Sequence, residues 1–125
     1  MGHFAPLSLL AVAAGGAVGA VCRYALGVWL NSGAKGLMWG TIAANLSGAL
    51  LAGMLLAYLE TRAMHEGLRL ALQVGFLGAL TTFSTFSVEV VQYLQRGKLG
   101  FAVAHVLVNL LLSLVLVYAG YRLFK

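Results

Sequence analysis

Residues 78–91 read GALTTFSTFSVEVV and place hydroxyl groups, aromatic rings and a carboxylate inside otherwise apolar sequence. The hydroxyl groups belong to Thr81, Thr82, Ser84, Thr85 and Ser87. Phe83 and Phe86 stand among them, and Glu89 follows. Polar groups in an apolar environment need hydrogen-bond partners or a water-filled cavity. This stretch is therefore the first candidate for a binding or transport site.

The residues before this cluster predict a break in a helix. Gly75 and Gly78 weaken helical structure, and Thr and Ser side chains compete for backbone hydrogen bonds. We expect the break near residues 78–82. Unwound backbone at membrane depth is tolerated where it is buried in protein or lines a cavity. Carbonyl oxygens freed there and directed at a two-fold axis can hold a small hard cation.

Phe83 and Phe86 are three residues apart, so they lie on one side of a helix. The edge of an aromatic ring is electropositive, whereas its face is negative. Ring edges turned towards a path would tolerate a small anion. Packing against lipid or protein is the alternative interpretation, and the surrounding hydroxyl groups count against it.

Further polar residues lie in the apolar stretches on either side. Arg23 can extend to the membrane surface, attract anions or bond a backbone carbonyl. Asn45 can bond a neighbouring helix or a solute. His105, Asn109 and Ser113 follow at i, i+4 and i+8, and this spacing indicates a polar track on one helical face rather than a seam between helices. His105 lies nearest the end of its apolar stretch.

The elements that position these residues are helices that cross a membrane. The chain has 125 residues, of which 62% are hydrophobic and 9% are charged. Its four apolar stretches cover roughly 5–30, 38–59, 70–94 and 99–121, and each has the length of about 20 residues that a membrane span requires. We therefore predict an all-α membrane protein with a single four-helix domain over residues 1–125.

The basic residues divide almost evenly between the two sides of such a domain. One side holds Arg62, Arg69, Arg122 and Lys125, and the other holds Lys35, Arg96 and Lys98, with Arg23 nearer the second side. Lys and Arg in loops normally set the orientation. A near tie favours insertion in both orientations, and an antiparallel homodimer would follow.

Several classes of function are disfavoured. Nothing places a base beside a nucleophile, and the glycines lack the lysine of a phosphate-binding loop. We therefore expect no enzyme. The positive charges lie at span ends, where they meet lipid head groups and not nucleic acid. Cys22 is the only cysteine, so an intramolecular disulfide is impossible. His3 and His65 lack metal-ligand spacing.

Three segments resemble the Fluc fluoride-channel family, also called CrcB. They are GGAVGAVCRY at 15–24, WGTIAANLSG at 39–48 and GFLGALTTFSTFSVEVV at 75–91. They cover much of the first three spans in the expected order, and TTFSTF after a Gly-rich turn is highly specific. The fourth span matches in character only, with polar residues at the expected spacing.

The resemblance implies an antiparallel, dual-topology homodimer with two pores, each lined by both subunits. It also implies a structural sodium ion on the two-fold axis, held by the backbone carbonyls of Gly78 and Thr81 from each chain. The pore and fluoride residues that it implies are Phe83, Phe86, Asn45, Ser84, Thr85, Asn109, Ser113 and Arg23. Glu89 matches a carboxylate of the family.

The function implied by the resemblance is passive, fluoride-selective export through the plasma membrane of a microbe, which confers fluoride resistance. An inside-negative potential drives anions outward. The main alternative is a small dual-topology, proton-coupled multidrug exporter. Such exporters use a carboxylate in the first span, and this chain has Arg23 there instead. A structural partner subunit without transport activity is a third possibility.

Overall fold

A computed structural model describes residues 5–31 and 36–125. Within them, helices α1 (Pro6–Asn31) and α2 (Trp39–Thr61) form the first two spans. The third span, Glu66–Gln95, is built from two helices, α3 over residues 66–80 and α4 (Phe83–Gln95), and α5 (Leu99–Phe124) forms the fourth. All four are long and apolar enough to cross a membrane, which confirms the prediction of an all-α protein with four membrane helices. Lys35 and His3 lie outside the described residues.

The third span is interrupted at Thr81 and Thr82. Helix α3 covers residues 66–80 as the consecutive segments Glu66–Arg69, Leu70–Leu77 and Gly78–Leu80, and α4 covers Phe83–Gln95. Both threonines are extended, with φ/ψ of −85°/150° and −147°/122°. The Thr82 hydroxyl accepts the backbone N–H of Thr85 at 3.2 Å and so caps α4. The predicted break near 78–82 is therefore confirmed.

Close helix crossings depend on glycine. A Cβ on Gly15 of α1 would collide with the backbone carbonyl of Ala71 in α3, and one on Gly75 of α3 would meet Gly15 in turn. On the other side of the bundle, a Cβ on Gly53 of α2 would collide with the backbone of α5. Small residues let helix backbones approach within van der Waals contact, which is how helices associate in lipid. These three glycines therefore serve packing within one chain.

Two segments have π-helical hydrogen bonding, which the sequence pattern does not predict. They are Leu70–Leu77 in α3 and Val108–Leu112 in α5. A π turn inserts one extra residue and so shifts the phase of the residues that follow, and such turns are frequent at functional sites. The second of these segments contains Asn109, a member of the predicted polar track.

Candidate ion-binding site

A cavity of about 400 Å³ lies at the break in the third span, and we call it the phenylalanine cavity. It brings together most of the residues that the sequence singled out. They are Asn45, Gly78, Thr81, Phe83, Phe86, Asn109 and Ser113. These residues come from α2, α5 and both halves of the third span. The break thus assembles one concave site from positions that are far apart in the sequence.

The two phenylalanines occupy different environments at this cavity. Their ring centroids are 5.4 Å apart and the rings are tilted by 59°. Phe86 is only 5% exposed and packs near the His105 ring, whereas Phe83 is 70% exposed. The tilted arrangement presents an electropositive edge beside a negative face. Phe83 therefore points out of the chain, where a second surface would be needed to enclose it.

Asn45 joins α2 to the broken backbone. Its Oδ1 accepts the Thr82 N–H at 2.7 Å, and its Nδ2 donates to the Thr82 carbonyl at 3.2 Å. The same Nδ2 donates to Oδ1 of Asn109 at 2.8 Å. Asn45 thus satisfies both backbone groups of an extended residue that no helix can satisfy. The sequence allowed a hydrogen bond from Asn45 to a neighbouring helix or to a solute. In this structure Asn45 bonds to Asn109 of α5 and to the backbone of Thr82.

Arg23 lies at a second cavity, which we call the arginine cavity, of about 280 Å³. Its Nε donates to the carbonyl of Ala79 at 2.9 Å, near the C-terminal end of α3. The backbone-carbonyl partner was one of the three options for this residue, and the cation suits a helix end where carbonyls are unpaired. Thr85 and Glu89 also line the arginine cavity, so it holds one basic and one acidic side chain.

Ser84 is not brought to the phenylalanine cavity. It is exposed on α4 and lines, with Thr85 and Glu89, a third cavity of about 370 Å³. Successive residues of a helix point in directions about 100° apart. The hydroxyl groups between the two phenylalanines therefore face away from the phenylalanine cavity.

Glu89 and His105 form a buried pair whose pairing sequence reasoning missed. They are 7% and 0% exposed, and Nε2 of His105 lies 2.9 Å from Oε1 of Glu89. The Thr41 hydroxyl donates to Oε2 of Glu89 at 2.8 Å. His105 was the member of the predicted polar track nearest the end of its apolar stretch, yet it is fully buried. The available signal was that one carboxylate and one imidazole in the apolar stretches each require a partner.

The carbonyls of Gly78 and Thr81, the predicted cation ligands, lie outside the regular hydrogen bonding of a helix. The Thr82 N–H donates to Asn45 and not to the carbonyl of Gly78, four residues earlier, which a continuous helix would require. Thr81 is extended, so its carbonyl is likewise outside the helical pattern. Carbonyl oxygens are suitable ligands for a small hard cation. Among residues 5–31 and 36–125, no group of His, Cys, Asp or Glu side chains could hold a metal.

Comparison with known proteins assigns the family. Residues 10–121 match the CrcB-like protein family, described as camphor resistance (CrcB). A Bordetella avium protein named fluoride-specific ion channel FluC is 49% identical over 116 residues, covering 92% of this chain and 90% of that protein. The equally named protein of Marinobacter nauticus is 42% identical and covers 94% of each chain. That of Geobacter sulfurreducens is 46% identical, covering 90% and 93%. The resemblance is confirmed: this chain belongs to the CrcB family of multi-pass membrane proteins.

Proposed function

We propose that this protein is a fluoride-selective ion channel and that it exports fluoride passively across the plasma membrane. The observation that carries the proposal is the phenylalanine cavity, where two tilted rings and two side-chain amides surround the helix break. The relatives named as fluoride-specific channels support the same function.

The chemistry of fluoride matches this lining. Fluoride is small, strongly hydrated and a good hydrogen-bond acceptor, so leaving water requires replacement donors. The amides of Asn45 and Asn109 supply N–H groups, and the edges of Phe83 and Phe86 supply weak positive potential. Larger halides gain less from such donors and fit a narrow path poorly. Arg23, Ser84, Thr85 and Ser113 would extend the set of positive or hydroxyl groups along the route.

The working unit that we propose is an antiparallel, dual-topology homodimer with two pores, each lined by both subunits. Phe83 is 70% exposed and Ser84 is also exposed, so residues proposed to contact fluoride face away from their own chain. A second copy would enclose them. The near tie between basic residues on the two sides supports insertion in both orientations.

We further propose that the carbonyls of Gly78 and Thr81 from both chains hold a structural sodium ion on the dimer axis. The redirected Thr82 N–H, which leaves the Gly78 carbonyl without its helical donor, supports this assignment. When bound, the cation would balance the negative ends of the carbonyl dipoles where two broken helices meet.

Proton-coupled multidrug export is not favoured. Such exporters alternate a cation and a proton on a carboxylate in the first span, whereas α1 carries Arg23. Glu89 in the third span is engaged by Thr41 and His105 and is 7% exposed. Passive conduction needs no such exchange site. Fluoride would leave down its gradient with help from the inside-negative potential, which would give fluoride resistance.

The direct experiment is efflux from liposomes that contain only this purified protein. The vesicles are loaded with fluoride or chloride, valinomycin short-circuits the potential, and ion-selective electrodes follow release. Rapid fluoride release with negligible chloride release is expected. If folded protein releases neither ion, the channel is rejected, and a partner subunit or a drug exporter is favoured instead.

Dual topology is tested separately by labelling. In a Cys22→Ser background, Ala63→Cys places a thiol in the exposed connection between α2 and α3. A membrane-impermeant maleimide applied to intact cells is expected to label about half of the molecules. A parallel variant with Gln95→Cys, at an exposed position at the end of α4 on the opposite side, is expected to behave in the same way. Complete labelling of one variant and none of the other would establish a single orientation.

A further inference from the structure

The proposed conduction path assigns no role to the buried pair of Glu89 and His105. His105 is 0% exposed and its ring lies 5.6 Å from that of Phe86 and 5.5 Å from that of Tyr93. A fully buried imidazole in a membrane span carries a cost that its partners must offset. The identities of those partners determine which ring nitrogen carries the proton.

The direction of the hydrogen bonds follows from one backbone group. The N–H of Thr82 can only donate, so the atom of Asn45 that lies 2.7 Å away is Oδ1. Nδ2 of Asn45 therefore faces Asn109, 2.8 Å away. An amide nitrogen also only donates, so Asn109 must present its oxygen to Asn45.

The same logic reaches the imidazole. With its oxygen turned to Asn45, Asn109 directs Nδ2 at His105, 2.8 Å from the carbonyl oxygen and 3.3 Å from Nδ1. A bare Nδ1 can accept from this amide, whereas a protonated Nδ1 would set two donors against each other. The contacts therefore favour a neutral ring with its proton on Nε2, which lies 2.9 Å from Oε1 of Glu89 and can donate to it. The hydrogen bonds thus run in one direction from the helix break to the carboxylate.

We propose that His105, held with its proton on Nε2 by Glu89, is a positioning residue that fixes the donor direction of the Asn109 and Asn45 amides. The charged or titratable groups around the ring are Glu89 and Tyr93 of α4, with Arg23 of α1 across the arginine cavity from Glu89. The effect on ion flux rests on the proposed fluoride conduction, whereas the position of the proton does not.

The direction matters because an anion can capture hydrogens but not oxygens. The longest contacts in this network are Nδ2 of Asn45 to the Thr82 carbonyl, at 3.2 Å, and Nδ2 of Asn109 to Nδ1 of His105, at 3.3 Å. An acceptor that enters the phenylalanine cavity displaces these two at least cost. Reversing the amides would set two donors against each other at Thr82 and turn amide oxygens to the anion.

The first test locates the proton by nitrogen NMR of protein labelled with ¹⁵N in its imidazole rings and reconstituted in lipid nanodiscs. The chain has three histidines, so the His105→Gln variant identifies the His105 signals by their loss. We expect one protonated nitrogen, Nε2, and one bare nitrogen, Nδ1. In Asn109→Asp, where a carboxylate accepts but cannot donate, Nδ1 is expected to gain a proton.

A Ser113→Ala variant is the matched control, since Ser113 lies one turn beyond Asn109 on α5 and should leave both signals unchanged. Native protein with a proton on Nδ1, or on both nitrogens, would overturn the proposal. An Asn109→Asp spectrum identical to the native one would do the same. Each of these results is independent of whether fluoride is conducted.

The second test compares two variants of His105, each of which keeps the hydrogen-bonding role of one ring nitrogen and loses that of the other. His105→Asn places an acceptor near the position of Nδ1, whereas His105→Gln keeps a donor towards Glu89 and loses the acceptor. Fluoride current in planar bilayers is expected to be about tenfold larger for His105→Asn, as one misdirected hydrogen bond predicts. Equal currents, or the reverse order, would overturn the positioning role. An absence of native current would instead reject the proposed function.

Discussion

Replacing Asn45 with leucine tests whether the side chain that supports the helix break also serves conduction. Leucine has a similar size and shape but no polar atoms. The change removes three hydrogen bonds, two to the Thr82 backbone and one to Asn109. It leaves an N–H, a carbonyl and an amide oxygen without partners.

The expected cost follows from these three groups. A buried polar group without a partner costs about 1–3 kcal/mol, and hydrogen bonds between membrane helices contribute about 0.6 kcal/mol on average and up to about 1.7. The site is only partly buried, so we expect a loss of about 3 kcal/mol. If the same geometry sets the barrier for the ion, fluoride flux falls by about 100-fold, since each tenfold step corresponds to about 1.4 kcal/mol.

The assay combines liposome efflux with thermal unfolding in detergent. Ser47→Ala is the matched control, because Ser47 lies on the same helix, is exposed and donates its hydroxyl hydrogen to the carbonyl of Ala44 in its own helix. It should change neither quantity. Asn45→Asp keeps an acceptor for the Thr82 N–H, but its carboxylate no longer donates to the Thr82 carbonyl or to Asn109 and places a negative charge on the anion path. We expect it to recover at most part of the stability lost in Asn45→Leu and none of the flux. An Asn45→Leu protein with native stability and flux within twofold of the native value would refute the reasoning.

Three further predictions concern the phenylalanines, the helix crossings and the orientation. Phe83→Ile should lower fluoride efflux at little cost to packing within its own chain because the ring is 70% exposed there, whereas Phe86→Ile, at a site 5% exposed, should also cost about 1–3 kcal/mol in unfolding measurements. Native fluoride flux in a folded protein that carries both Phe83→Ile and Phe86→Ile would show that the ring edges do not serve conduction. Gly53→Val, which forces a side chain into the backbone of α5, should lower the unfolding midpoint, while Gly100→Ala, with open space around it, should not; equal midpoints would contradict this crossing. Ala63→Lys should bias insertion and reduce efflux from cells that express this variant alone, and unchanged efflux would count against dual topology.

The membrane spans and the break could be predicted from the sequence because both depend on local composition. Uninterrupted apolar length marks a span. Gly75, Gly78 and the run of hydroxyl residues mark a segment that helical hydrogen bonding does not favour. Only the structure shows that the break falls at Thr81 and Thr82 and that the Thr82 hydroxyl caps the next helix.

The sequence singled out several residues that line the phenylalanine cavity, but it did not indicate the hydrogen bonds between them. Spacing indicated Asn109 and Ser113 on one face, and both line the phenylalanine cavity with Asn45. The π turn at Val108–Leu112 was not predictable, because its hydrogen-bond pattern depends on tertiary packing rather than local propensity. The partnership of Glu89 with His105 was missed for a similar reason, since sequence separation says nothing about which helices touch.

The membrane environment explains why the polar residues form one connected set. Among residues 5–31 and 36–125, every buried side-chain nitrogen or oxygen has a hydrogen-bond partner. In lipid each such group must find its partner within the protein, and the hydrogen bonds through Asn45, Asn109 and His105 meet that requirement from the Thr82 backbone to Glu89. A path for an anion needs donors that are satisfied while the ion is absent and available when it arrives. Long hydrogen bonds to a carbonyl and to an imidazole nitrogen meet both conditions, because an anion can replace either acceptor without leaving a buried hydrogen unpaired.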